Sequence, residues 1–81
     1  MDDKSAFLLD LNFKQVSVEV DEDSYTFRYE DENMVCVVSR HGPINEYHIN
    51  WYSKFGGEHG IFAHNDWSKI TTLIKFILKR L

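Results

Sequence analysis

Apolar residues return at every second position in two early stretches: Val16, Val18 and Val20 alternate with Ser17 and Glu19, and Tyr25, Phe27 and Tyr29 with Thr26 and Arg28. A period of two predicts half-buried strands. The polar breaks Asp21-Glu22-Asp23 and Glu30-Asp31-Glu32-Asn33 have hairpin length, although neither holds the glycine that fixes a turn type. Residues 34–39 form a nearly continuous apolar run with β-branched valines, which predicts a central strand covered on both faces. His41-Gly42-Pro43 turns the chain, and Tyr47, Ile49 and Trp51 then alternate with Glu46, His48, Asn50 and Tyr52 as a fourth strand whose second face is polar. Gly56-Gly57-Glu58-His59-Gly60 holds three glycines in five residues and predicts a loop.

The last segment carries a helical period. Asn65 or Asp66 can cap its start, and Trp67, Ile70, Leu73, Ile74, Ile77, Leu78 and Leu81 form one apolar arc. Lys75, Lys79 and Arg80 suit the negative end of its dipole. Residues 3–13 fit two patterns: Phe7, Leu8 and Leu11 make a helical stripe, whereas Leu9, Leu11 and Phe13 make a strand face. A short helix is the preferred reading. The predicted fold is therefore α+β: an antiparallel meander of about four strands packed against a C-terminal amphipathic helix, with a short N-terminal helix.

Eighty-one residues make one domain, 1–81, with no repeat and no low-complexity stretch. At 43% hydrophobic, 15% aromatic and 27% charged residues, the chain is too apolar for a disordered tail. Its longest apolar runs fall far short of the roughly 18 residues a spanning helix needs, and Asp2 and Asp3 stand where a signal peptide is basic. We therefore expect no membrane partner and a cytoplasmic protein. A lone Cys36 inside an apolar run fits the same reducing compartment, as a small buried hydrophobe.

The net charge of −4 is unevenly divided. Residues 1–33 hold ten acids against three bases, a balance of −7, and residues 34–81 hold six bases against three acids, a balance of +3. Asp21, Glu22 and Asp23, with Glu30, Asp31 and Glu32, are candidate partner-binding acids, weighed against the ordinary solvated turn. In the last 31 residues, Trp51, Tyr52, Phe55, Phe62, Trp67 and Phe76 are more aromatics than one sheet-and-helix interface needs, so some should be exposed. Phe76 falls outside the helix's apolar arc, near Lys69, Lys75, Lys79 and Arg80. A large ring among cations is a candidate partner or base-stacking site, unless the N-terminal segment covers it.

Catalytic and metal chemistry find little support. His41, His48, His59 and His64, with Cys36, Glu58 and Asp66, are zinc-ligand types, but their spacing matches no zinc pattern. No metal or cofactor is expected. Glu58-His59 in a glycine-rich stretch is a weak candidate acid–base pair, with His48 as an optional third member. The expected function is non-enzymatic: a small acidic protein-binding domain that inhibits or regulates a larger macromolecule, in particular a phage- or mobile-element-type inhibitor of a basic nucleic-acid-binding protein. The alternatives are a nucleic-acid-binding module using the basic helix face and a small enzyme using the glycine-rich loop. Homodimerisation is open in either case.

Overall fold

A computed structural model describes residues 3–19 and 23–79. Asp2, Val20, Asp21, Glu22, Arg80 and Leu81 lie outside the described residues, as do the side chains of Val18 and Glu19. In chain order come α1 (Asp3–Asp10), β1 (Lys14–Glu19), β2 (Ser24–Glu30), β3 (Met34–His41), β4 (Glu46–Ser53), β5 (His59–His64) and α2 (Trp67–Lys79), with a 3-10 turn at Gly42–Ile44. The strands form one antiparallel sheet in the order β1-β2-β3-β4-β5. The α+β meander and C-terminal helix are as expected, and the strands number five rather than about four.

Both helices cover one face of the sheet. The core there joins Phe27, Cys36, Val38 and Ile49 from the strands to Leu8 of α1 and to Ile70, Ile74 and Ile77 of α2. Helix α1 ends because Asn12 takes a left-handed conformation, φ 70°. The Asn12 and Phe13 N–H groups then reach back to the Leu9 and Leu8 carbonyls, both at 3.0 Å, which satisfies the helix's last acceptors in a Schellman motif. The buried Phe13 and Leu8 complete it. Helix α2 starts where Asp66 Oδ1 accepts the Ser68 N–H at 3.0 Å, so Asp66 rather than Asn65 is the cap.

Three expectations need correction. The fifth strand takes His59 and Gly60 out of the predicted loop, leaving only the turn between Ser53 and His59. Gly60 belongs in a strand because the Trp51 indole lies over it, where any Cβ would overlap the ring. Val16 is not a core-facing strand residue. The β1–β2 register shifts between Gln15 and Ser17, so Val16 is the extra residue of a bulge and stands 56% exposed. Strand β3 is central and its Val35 is buried on the far face, yet no layer of the described residues covers that face. Val35 is shielded by the flanking strands, through its register neighbours Glu30 and Tyr52.

Candidate interaction surface

The β4–β5 hairpin turns on two glycines. Gly56 and Gly57 have φ of 83° and 93°, a region other residues enter only with strain. The turn closes by the Ser53 N–H donating to the Glu58 carbonyl at 2.8 Å, and the Lys54 N–H ties it to the Asn33 carbonyl at 2.8 Å. Phe55 is held at the tip of this braced turn, 80% exposed. On the strands that lead to and from this turn, Tyr52 of β4 and Ile61 of β5 point from the uncovered face, 43% and 76% exposed.

Phe76 projects from the flank of α2. Helix geometry turns each residue by about 100°, which sets Phe76 beside Lys69 and Leu73 and opposite the side that meets α1. That other side carries Trp67, edge-to-face with Phe7 at 6.0 Å, and Lys75, whose ammonium lies 5.8 Å from the Phe7 ring centre. Phe76 is 57% exposed, so α1 does not cover it. Among the described residues, four of the seven exposed large hydrophobics, Tyr52, Phe55, Ile61 and Phe76, belong to the β4–β5 hairpin and the flank of α2 that faces away from α1. Of the six aromatics in the last 31 residues, Trp51, Phe62 and Trp67 pack against the core while Tyr52, Phe55 and Phe76 are exposed.

Three of the six candidate acids, Asp23, Glu30 and Asp31, have local partners. Asp23 accepts from Arg40 Nε at 3.0 Å. Glu30 lies between Lys54 Nζ at 2.6 Å and Arg28 at 3.1 Å, and these two, Lys54 foremost, hold its carboxyl below the usual range. Asp31 is the scaffold of its turn: it accepts the Asn33 and Met34 N–H groups at 2.7 and 2.9 Å and the Tyr29 hydroxyl at 2.8 Å. Those bonds, the Asn33 N–H first, lower its pKa. Glu32 is exposed at the same turn. The β1–β2 and β2–β3 connections lie at opposite ends of the sheet, so Asp23 and Glu30 do not share a patch. Of the candidate helix cations, Lys69 and Lys79 stay on the Phe76 side, whereas Lys75 turns toward Phe7.

Two of the four histidines meet. His41 and His48 lie 4.2 Å apart between ring centres with their planes tilted by 41°, and His48 Nε2 lies 3.0 Å from Glu46 Oε1. His64 Nδ1 accepts the Asp66 N–H at 2.9 Å and so braces the start of α2. His59 is the register partner of Tyr52, four residues along β4 from His48, or roughly 13 Å at strand rise. Glu58, His59 and His48 are thus not brought together. A concavity of about 290 Å3 lies elsewhere on the uncovered face, between the hydroxyls of Ser17, Ser24, Thr26 and Ser39 and the side chains of His41 and Ile44. No cluster of three or more His, Cys, Asp or Glu able to hold a metal occurs among the described residues. Cys36 is buried, and that burial pushes its thiol up to about 12.

The surplus of aromatics points to Tyr52 and Phe55 without saying that they are the exposed ones, and Ile61 is not anticipated. Their signal is an exposed ring in a glycine turn, followed by a short strand with no acid, lysine or proline. No helix among the described residues is long and apolar enough to cross a membrane. No protein-family model, curated protein or solved structure matches the chain.

Proposed function

We propose that this chain is a non-enzymatic protein-binding domain that inhibits or regulates a larger macromolecule, docking it through the β4–β5 hairpin. The exposed Phe55 and Tyr52, on a braced turn and the strand leading into it, carry this reading. Clustered exposed aromatic and aliphatic side chains mark interaction sites, and rigid aromatics supply most of the energy at protein interfaces. The net charge of −4 adds long-range attraction for a basic partner. A nucleic-acid-handling protein, blocked in the manner of phage- or mobile-element-type inhibitors, is the partner class we propose. Reducing conditions suit the lone Cys36, and the cytoplasm is the proposed compartment.

The test is capture of a partner from lysate, its identification by mass, and affinity measurement with single variants. Phe55→Ala and Tyr52→Ala should each weaken binding tenfold or more, about 1.4 kcal/mol, and Phe55→Ala should leave melting unchanged. Full affinity in both variants would remove the hairpin from the interface. A runner-up rests on Lys69 and Lys79 beside Phe76. Oligonucleotide binding that falls steeply with salt and is lost in a Lys69→Gln, Lys79→Gln double variant would favour a nucleic-acid module instead.

A further inference from the structure

The two edges of the sheet are built differently. Strand β1 carries Lys14 and a bulge at Val16, devices that keep an edge from pairing with another chain. Strand β5 has neither: its six residues, His59–His64, hold no acid, lysine, arginine or proline, and its register with β4 is unbroken. The alternation of hydrogen bonds gives the direction of its free groups. Ser53 and Glu58 form a hydrogen-bonded pair at the turn, so Trp51–Gly60, Ile49–Phe62 and Tyr47–His64 are the next bonded pairs. The N–H and C=O groups of His59, Ile61 and Ala63 therefore point away from β4, toward the open edge.

We infer that β5 pairs antiparallel with β5 of a second copy, joining two five-stranded sheets into one of ten strands about a twofold axis at Ile61. In this register His59 faces the second copy's Ala63, and Ile61 faces Ile61. All six outward backbone groups on each strand then have partners. The side chains are self-complementary. Glu58 comes opposite the second copy's His64, whose Nδ1 is an acceptor for Asp66 and whose other ring nitrogen is thus left to donate. Phe62 comes opposite Gly60, which has no side chain to compete, and no two like charges face each other. Ile61, 76% exposed in one chain, is covered at the axis. On the opposite side of the sheet, the α2 flanks bearing Leu73 and Phe76 approach each other, adding apolar area that an edge alone lacks. This pairing goes beyond the proposed regulatory function and leaves Phe55 at the hairpin tip open to a different partner.

Sedimentation equilibrium of the full chain over a wide concentration range tests the inference. The mass should rise from 9.6 kDa toward twice that value, and Ile61→Lys should weaken association at least tenfold with unchanged circular dichroism and melting. Register is tested by cross-linking under mild oxidation, which the buried Cys36 does not disturb. Ile61→Cys should give a disulfide-linked dimer, because the two thiols meet at the axis. Ala63→Cys should not, since its two copies lie roughly 13 Å apart. A monomer at every concentration, association unaffected by Ile61→Lys, or cross-linking at position 63 in place of 61 would each overturn the pairing. A monomer that still binds its partner through Phe55 overturns this inference alone. A dimer indifferent to Phe55→Ala in partner capture overturns only the proposed docking.

Discussion

Gly60 is defined by what lies above it. The Trp51 indole occupies the space of a Cβ, so Gly60→Ala should cost about 1–3 kcal/mol, the usual cost of overpacking, read by urea melts. On α2, neighbours one position apart should behave oppositely. Ile77 is in the core, and Ile77→Ala should cost about 2–5 kcal/mol. Phe76→Ala should stay well below the roughly 3–5 kcal/mol of a buried phenylalanine. Equal losses would make Phe76 a second core contact. Cys36 should label slowly with thiol reagents in the native protein, and its buried thiol also sets an alkaline limit. Folding raises its pKa from 9.0 to about 12, so the protonated thiol's contribution is full below pH 9 and declines as pH rises toward 12. Cys36→Ala should flatten that decline in denaturant melts between pH 8 and 11.

At the scale of elements, the acidic β2–β3 turn reads as structure. Asp31 organises it through two backbone N–H groups and the Tyr29 hydroxyl. Its pKa is lowered in the fold, so its stabilisation is present above the ordinary carboxylate range and is lost as pH falls through the lowered value. Asp31→Asn should make melts less pH-dependent below pH 4. Strands β2, β3 and β4 and helix α2 were legible because each has an uninterrupted apolar period of the right length. Strand β5 was not, since its inward positions are Gly60, Phe62 and His64 and its glycine reads locally as a loop residue. The β1 bulge was equally hidden: Val16, Val18 and Val20 keep the period, while the register with β2 breaks it. Helix α1 was ambiguous from periodicity and is decided by Asn12, whose left-handed backbone ends it. Charge drew attention to the acids, of which Asp23, Glu30 and Asp31 have local partners, and away from β5, which has no acid, lysine or arginine.

For the whole molecule, the strand order repeats the chain order. Each strand finds its partner across one short turn, so loop-closure cost stays small and the sheet should assemble quickly, hairpin after hairpin. The first and last elements are the exception. Phe7 of α1 meets Trp67 of α2 far along the sequence, a contact of large sequence separation that should form after the local hairpins. It is a clasp closed last. Phe7→Ala should therefore speed unfolding while leaving the folding rate within about twofold, as expected for an interaction absent from the transition state. Stopped-flow Trp fluorescence would read both limbs, and slowed folding would put the clasp early. A chain that closes in this order opens in the reverse one, so its lifetime is governed by the helices and its speed of formation by the turns.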